Sequence, residues 1–266
     1  AVNEMAFIWG SLPKEVTTAP DPSIWLYFGN PAAVDGQEAA GVFDLAHVLS
    51  HTFSGKAVKD ATANANNPAE ANSTFTEGGL IGESASFQAG QTIRVAAAPS
   101  LLMSPSTGWT VSTWLKFDQA QPDAVVFQRG GASGSFTLAL KDQTAVIEVA
   151  DASGNKQEFK GQGSVTPATW HHLAITVVAD KITLYLDGNP AGELPIKLDD
   201  LDGDLTVGSA AGGNRGFSGM IDQFDVFKVA RDANAIKFDV KMQGPASALL
   251  TYADDVTPDS EEGGES

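Results

Sequence analysis

The sequence has no cysteine, few basic residues and no long apolar run. The absence of cysteine excludes disulfide bonds, thiolate metal sites and a cysteine nucleophile. Only 16 Lys and Arg stand against 33 Asp and Glu, and the net charge of −17 argues against nucleic acids and anionic membranes as partners. No stretch of about 18 apolar residues occurs, so no membrane-spanning helix is expected. The surplus of carboxylates leaves room for a hard cation such as calcium.

Short β-prone segments dominate the 266 residues. Turn residues such as Gly130-Gly131 and Asp187-Gly188 bound them, and no helical pattern separates neighbours, which favours an antiparallel sandwich over βαβ units. One helix is predicted over Arg231–Met242, and Gly244-Pro245 ends it. The predicted strands are Ser23–Phe28, Trp109–Phe117, Ala124–Gln128, Phe136–Leu140, Thr144–Val149, His171–Val178, Lys181–Leu186, Asp204–Val207 and Met220–Phe227.

Four segments, taken in order, resemble the laminin-G-like, concanavalin A-like jelly roll. The resemblance implies an all-β, two-sheet antiparallel jelly-roll sandwich with a short C-terminal helix and a small N-terminal β appendage. We expect the appendage over 1–44, the jelly roll over 45–243 and an acidic linker over 244–266. The matching segments are Val48–Phe53 with the turn Asp60–Asn67, Gly82–Phe87 with Trp109–Lys116, Trp170–Thr176 with Ile182–Gly188, and Gly219–Phe227.

The segment Trp25–Pro31 resembles the end of a small bacterial module of unknown function that precedes such jelly rolls. This order of segments is similar to the periplasmic region of MotA/TolQ/ExbB-type proton-channel proteins. The resemblance implies a periplasmic or extracellular domain that makes no membrane contact itself and takes part in a proton-channel complex. Its partner would be a cell-envelope protein or a glycan.

Calcium is the metal that the sequence favours, because it binds carboxylate, amide and carbonyl oxygens. The resemblance assigns a calcium site to Asp60, Asn64 and Asp222, although Ala stands at two positions of the turn where related domains carry glycine. A second acidic segment, Asp199–Asp204, is similar to the start of an EF-hand loop. It lacks the final Glu, which favours a solvated hairpin.

Catalytic patterns are weak. Asp222 and Asp225 are three residues apart, which places them on opposite faces of a regular strand. Glu148 has no second acidic residue two positions away, on the same face of its strand, to complete a catalytic pair. The sequence has no Gly-x-Ser-x-Gly elbow for a Ser-His-Asp triad. His171 and His172 follow Trp170 at a strand start, where packing explains them better than catalysis. We therefore expect no enzymatic activity.

After metal binding and catalysis, the third possibility is that loops of the domain bind a ligand. The candidate residues are Arg129, Asn214 and Arg215, in two glycine-rich loops of a chain poor in bases. Arg215 suits a bidentate contact with a carboxylate, either of a partner or of this domain; the alternative is a mobile hairpin tip.

Three functions therefore stay open. The first is a non-catalytic, extracytoplasmic interaction domain of an ExbB/TolQ-type protein. The second is a calcium-dependent carbohydrate-binding module, and the third is a glycoside hydrolase of the same superfamily.

Overall fold

The computed structural model describes residues 8, 10, 23–27, 29–36 and 38–245. In this part of the chain, fifteen strands form two antiparallel sheets, and the helices are α1 (Ala39–Val42) and α2 (Ala233–Gln243). Single 3-10 turns lie at Pro99–Leu101 and Ala211–Gly213. The strands are β1 His47–His51, β2 Glu70–Ala71, β3 Thr74–Glu77, β4 Glu83–Phe87, β5 Ile93–Val95, β6 Trp109–Lys116, β7 Gln121–Gly131, β8 Gly134–Asp142, β9 Thr144–Asp151, β10 Lys156–Lys160, β11 His171–Val178, β12 Lys181–Leu186, β13 Asn189–Pro195, β14 Leu205–Val207 and β15 Gly219–Phe227.

The two sheets face each other as a jelly-roll sandwich. The eight-stranded sheet has the order β13-β12-β11-β6-β15-β4-β3, and β1 also pairs with β15. The seven-stranded sheet has the order β10-β9-β8-β7-β14-β5-β2. The predicted all-β, two-sheet architecture is confirmed, and each strand predicted between Trp109 and Phe227 is present.

One hydrophobic core fills the space between the sheets. Alternate residues of each strand enter it, so the opposite residues form two outer faces. Aromatic contacts join the layers: Trp109 meets Phe136 edge-on, with ring centroids 5.0 Å apart, and Phe127 meets Phe224 at 5.8 Å. These contacts make the two sheets one packing unit.

Helix α2 covers part of the outer face of the eight-stranded sheet. Ile236 is fully buried there against Ala174 and Tyr185. The side chain of Asp232 accepts a hydrogen bond from the backbone N–H of Ala235 at 2.8 Å and caps the helix. Because the cap stands at Asp232, the helix begins two residues later than predicted.

The N-terminal strand predicted at Ser23–Phe28 is not formed over its described residues. Residues 23–27 have no regular secondary structure and are exposed, and Phe28 lies outside the described residues. Apolar composition favoured a strand, but no strand of the described chain pairs with this segment, and an isolated strand is unstable. The predicted acidic linker lies outside the described residues from position 246 onward. In the described part, no helix is long and apolar enough to cross a membrane.

Candidate functional site

A row of polar side chains crosses the outer face of the seven-stranded sheet. The alternation of each strand produces it: Ile93 and Val95 enter the core, so Arg94 between them points outward. Leu205 and Val207 likewise leave Thr206 on the outer face. One outward-pointing residue of each strand is paired with one of the next strand, so these residues form one line across all seven strands. Its members, from β2 to β10, are Glu70, Arg94, Thr206, Gln128, Thr137, Glu148 and Glu158.

The first four members of this row lie in an open groove of about 510 Å³. With neighbouring strands about 4.8 Å apart, the row from Glu70 to Gln128 is about 14 Å long. Arg94 lies between two carboxylates: Nη1 is 2.9 Å from Asp204, and Nε is 3.6 Å from Glu70. A hydrogen bond from the Ala97 amide, together with Arg94, holds the pKa of Asp204 below its usual value. The three charged side chains that line the groove thus sum to −1.

Glycines keep the groove open. Gly130 lines it on β7, and a Cβ placed there would meet no atom within 4 Å. Ala211, Gly212 and Gly213 form the opposite margin, which we call the glycine wall. Both wall glycines have positive φ, 78° and 76°, which side-chain-bearing residues rarely adopt. A ligand can therefore approach the backbone closely on both sides.

Arg215 makes the bidentate contact that the sequence suggested, and it makes it within this domain. Nη1 lies 2.7 Å from one oxygen of Glu148, and Nη2 lies 2.9 Å from the other. Asp123 also accepts from Nη2, and Nζ of Lys141 lies 2.9 Å from Glu148. The hydrogen bonds from Arg215 lower the pKa of Glu148 to about 2, so this carboxylate is ionised at neutral pH. Asn214 is exposed beside it.

Arg129 does not lie on the surface, contrary to the loop position expected from the sequence. It is on strand β7, its side chain is fully buried, and its Nε donates to the backbone oxygen of Leu201 at 3.1 Å. Burial lowers its pKa to about 10, although Asp202 and Asp204 oppose this effect. The strand extends past Gln128, so its alternation turns Arg129 inward and leaves Gln128 and Gly130 in the groove.

The structure does not bring the three residues of the expected calcium site into contact with one another. Both oxygens of Asp60 accept hydrogen bonds within the Asp60–Asn67 turn, from Thr62 and from the amide of Asn66. Asn64 bonds within the same turn, to Thr62. Asp222 accepts instead from the amides of Leu80 and Ile81, and no described contact links it with Asp60. No group of three or more Asp, Glu or His in the described residues is placed to hold a metal ion.

Two acids of the second calcium candidate, Asp200 and Asp204, also have contacts of their own. Asp200 accepts from Ser104, and Asp204 pairs with Arg94. Asp199 and Asp200 line a second depression, of about 700 Å³, at one end of the sandwich. Loops form this depression, and no row of sheet residues enters it.

A β-bulge changes the expected placement of Asp222 and Asp225. Gln223, at φ 50°, is the extra residue in β15, so Asp222 pairs with Trp114 and Asp225 with Ser112. Those partners are two residues apart on β6, and the two acids therefore share the outer face instead of lying on opposite faces. Both are buried, and burial raises the pKa of Asp222 to about 6.

His171 and His172 make structural contacts. Nδ1 of His171 donates a hydrogen bond to Asp187 at 2.8 Å. This tautomer is assigned because Nε2 accepts a hydrogen bond from the backbone amide of Thr166. His172 is buried against Trp114, with ring centroids 5.1 Å apart. These contacts support packing as their role.

The fold is that of a jelly-roll sandwich whose outer sheet face carries a polar, glycine-bordered groove. A family model described as the concanavalin A-like lectin/glucanases superfamily matches residues 87–237, more than half of the chain. The chain belongs to this superfamily. Searching the curated proteins gives no significant match.

Solved structures with the same fold include toxin binding domains. The binding domain of Paraclostridial Mosquitocidal Protein 1 has a TM-score of 0.64 and 16% identity, and the match covers 75% of this chain and 53% of that one. The botulinum neurotoxin serotype G binding domain gives 0.62 and 12%, covering 74% and 51%. The chain thus spans about half the length of these toxin domains.

A third similar structure is a whole domain. Domain 4 of an extracellular arabinanase from Geobacillus stearothermophilus, solved in complex with arabinotriose, has a TM-score of 0.60 and 17% identity. The match covers 73% of this chain and 97% of that domain. At these identities the likeness shows the fold alone.

Proposed function

We propose that this domain is a non-catalytic, extracytoplasmic binding module that holds a neutral saccharide chain in the groove of the seven-stranded sheet. The observation that carries the proposal is the row Glu70, Arg94, Thr206 and Gln128 along the groove. A line of hydrogen-bonding groups about 14 Å long suits an extended ligand rich in hydroxyl groups.

The charges of the groove favour a neutral ligand. Glu70 and Asp204 already compensate the guanidinium of Arg94, so an anionic ligand would meet a lining of net charge −1. The hydroxyl of Thr206 donates to the backbone oxygen of Ser209 at 2.8 Å and keeps its lone pairs for a ligand donor. No aromatic ring is among the described lining residues, so binding would rest on hydrogen bonds.

Two further observations support the proposal. The arabinanase domain of similar fold was solved with a saccharide, which is an argument by analogy. The acids that a glycoside hydrolase would need are engaged elsewhere. Glu148 is held ionised by Arg215, and Asp222 and Asp225 are buried, which favours binding over hydrolysis.

Attachment to an ExbB/TolQ-type proton channel remains a prediction from the Trp25–Pro31 resemblance. It is tested by reading the gene downstream of the codon for Ser266. Channel helices are expected there if the prediction holds, and a full-length protein without them would contradict it.

Filling the groove tests the proposed function. Gly130→Tyr adds a side chain where a Cβ meets no neighbour, so the fold should tolerate it while the ring occupies the groove. Isothermal titration with neutral oligosaccharides of several sugars should show binding to wild type and to the matched control Gly130→Ala, and about a tenfold or greater loss with Gly130→Tyr.

Three results would speak against the proposal: no neutral saccharide binds, Gly130→Tyr binds as wild type does, or uronic-acid oligosaccharides bind better than neutral ones. Titration with calcium and with a chelator in the same series tests the calcium prediction. If Asp60 holds calcium, the ion should raise the melting temperature of wild type more than that of Asp60→Ala.

A further inference from the structure

The glycine wall belongs to a loop, residues 208–216, that leaves β14 and folds over the outer face of the seven-stranded sheet. Ala210 anchors the start of this loop in a small apolar cluster with Val125 and Ala139. Its amide donates to the oxygen of Asn214 at 2.9 Å, which closes the loop on itself. The loop that carries the wall is therefore anchored by apolar contacts of Ala210, and the wall itself makes only a few hydrogen bonds.

Arg215 fixes the far end of the wall. Its backbone oxygen accepts the amide of Val125 at 2.7 Å, and its φ of 52° is a left-handed conformation that costs energy for a residue with a side chain. The bidentate contact with Glu148 and the contact with Asp123 hold it in this conformation. Because Lys141 binds Glu148 as well, the carboxylate is itself held in place on β9.

The other end of the wall is tied to the groove floor. The amide of Ala211 donates to the side-chain oxygen of Gln128 at 2.9 Å, and Gln128 is a member of the polar row. Between the two ties stand Gly212, Gly213 and Asn214, held by hydrogen bonds within the loop such as that from the amide of Gly213 to the oxygen of Ala210 at 3.0 Å. The two glycines have more backbone freedom than other residues, so this segment depends on its two ends for order. Arg215 also lies outside the groove lining, so it can act on a ligand only through the wall.

We propose that Arg215 is a positioning residue for the groove: its clamp on Glu148 and Asp123 holds the glycine wall in the position, beside Gln128, that leaves the groove open to a ligand. This inference rests on the proposed function, since it names how the groove is kept in its binding form. Ordering the wall before binding removes an entropic cost that the ligand would otherwise meet.

Two variants break the clamp from opposite sides. Arg215→Asn keeps a residue type that accepts positive φ, and Glu148→Gln leaves the backbone of Arg215 untouched. Both should weaken saccharide binding about tenfold and speed amide hydrogen exchange in the 208–217 segment. Arg215→Lys, which keeps the charge but not the bidentate contact, should fall between these variants and wild type.

The matched control is Lys181→Ala, which removes an exposed ion pair with Glu193 on the other sheet. It should change neither affinity nor exchange in the loop. Unchanged affinity in both clamp variants would overturn the inference, even if exchange became faster. If wild type binds no saccharide, the proposed function fails, and the exchange comparison decides separately whether Arg215 orders the wall.

Discussion

At the scale of single residues, His51 lies in surroundings that oppose its protonation. It is fully buried beside the rings of Phe53 and Phe224, and neither ring nitrogen has a hydrogen-bond partner among the described residues. Burial lowers its pKa to about 4, although the charges of Asp60 and Asp225 act in the opposite direction. The folded protein therefore keeps this imidazole neutral in mildly acidic solution.

We expect His51→Phe to gain stability relative to wild type as the pH falls. Between pH 6.5 and about 4 the unfolded histidine binds a proton that the folded one does not, so wild type loses stability on acidification through this window. The variant has no such loss, and its free energy of unfolding relative to wild type should rise by about 2 kcal/mol from pH 8 to pH 5. Urea denaturation at both pH values measures the difference, and an equal difference at both would show that His51 titrates normally.

At the scale of elements, helix α2 depends on its first turn and on one buried anchor. Asp232 caps it, Ile236 is buried beneath it, and Arg231 pairs with Asp239 at 2.9 Å. Its C-terminal residue Gln243 accepts a hydrogen bond from the indole of Trp114 at 2.8 Å. The helix therefore covers polar and aromatic groups of the outer sheet face.

Loss of the cap should loosen this helix. Asp232→Ala leaves the amide of Ala235 without its acceptor and should lower the free energy of unfolding by about 1 kcal/mol, whereas Asp232→Asn retains a capping oxygen and should cost much less. Thermal unfolding and amide exchange across 233–243 report the effect. Equal destabilisation by both substitutions would mean that the charge, and not the cap, matters.

At the scale of the whole molecule, the two sheets share one core. Phe224 of the eight-stranded sheet packs on Phe127 of the seven-stranded sheet, so neither layer buries its inner face alone. Folding of the sandwich should therefore be cooperative, with both sheets lost in one transition.

Truncation at this junction tests the cooperativity. Phe224→Ala should lower the free energy of unfolding by about 3–5 kcal/mol, and the exposed Phe238→Ala should change it by no more than about 0.5 kcal/mol. Circular dichroism and tryptophan fluorescence should follow the same urea transition in both variants. Separate transitions for the two signals would indicate that the sheets unfold independently.

The sequence by itself determined the fold class, since short β-prone segments with turn residues between them can bury their apolar alternation only in paired sheets. It also indicated the helix, and it indicated that Arg215 suits a bidentate contact with a carboxylate. These expectations depend on local spacing and residue type, which the chain carries directly, whereas the partner Glu148 is distant in sequence and was supplied by the fold.

Only the tertiary structure decided the groove. Glu70, Arg94, Thr206 and Gln128 are distant in sequence, and strand order and register bring them into one row. The same reason explains the corrections: the length of β7 turns Arg129 inward, and one extra residue in β15 moves Asp225 to the face of Asp222. Register and bulges arise from packing between distant strands, and a single strand's pattern does not contain them.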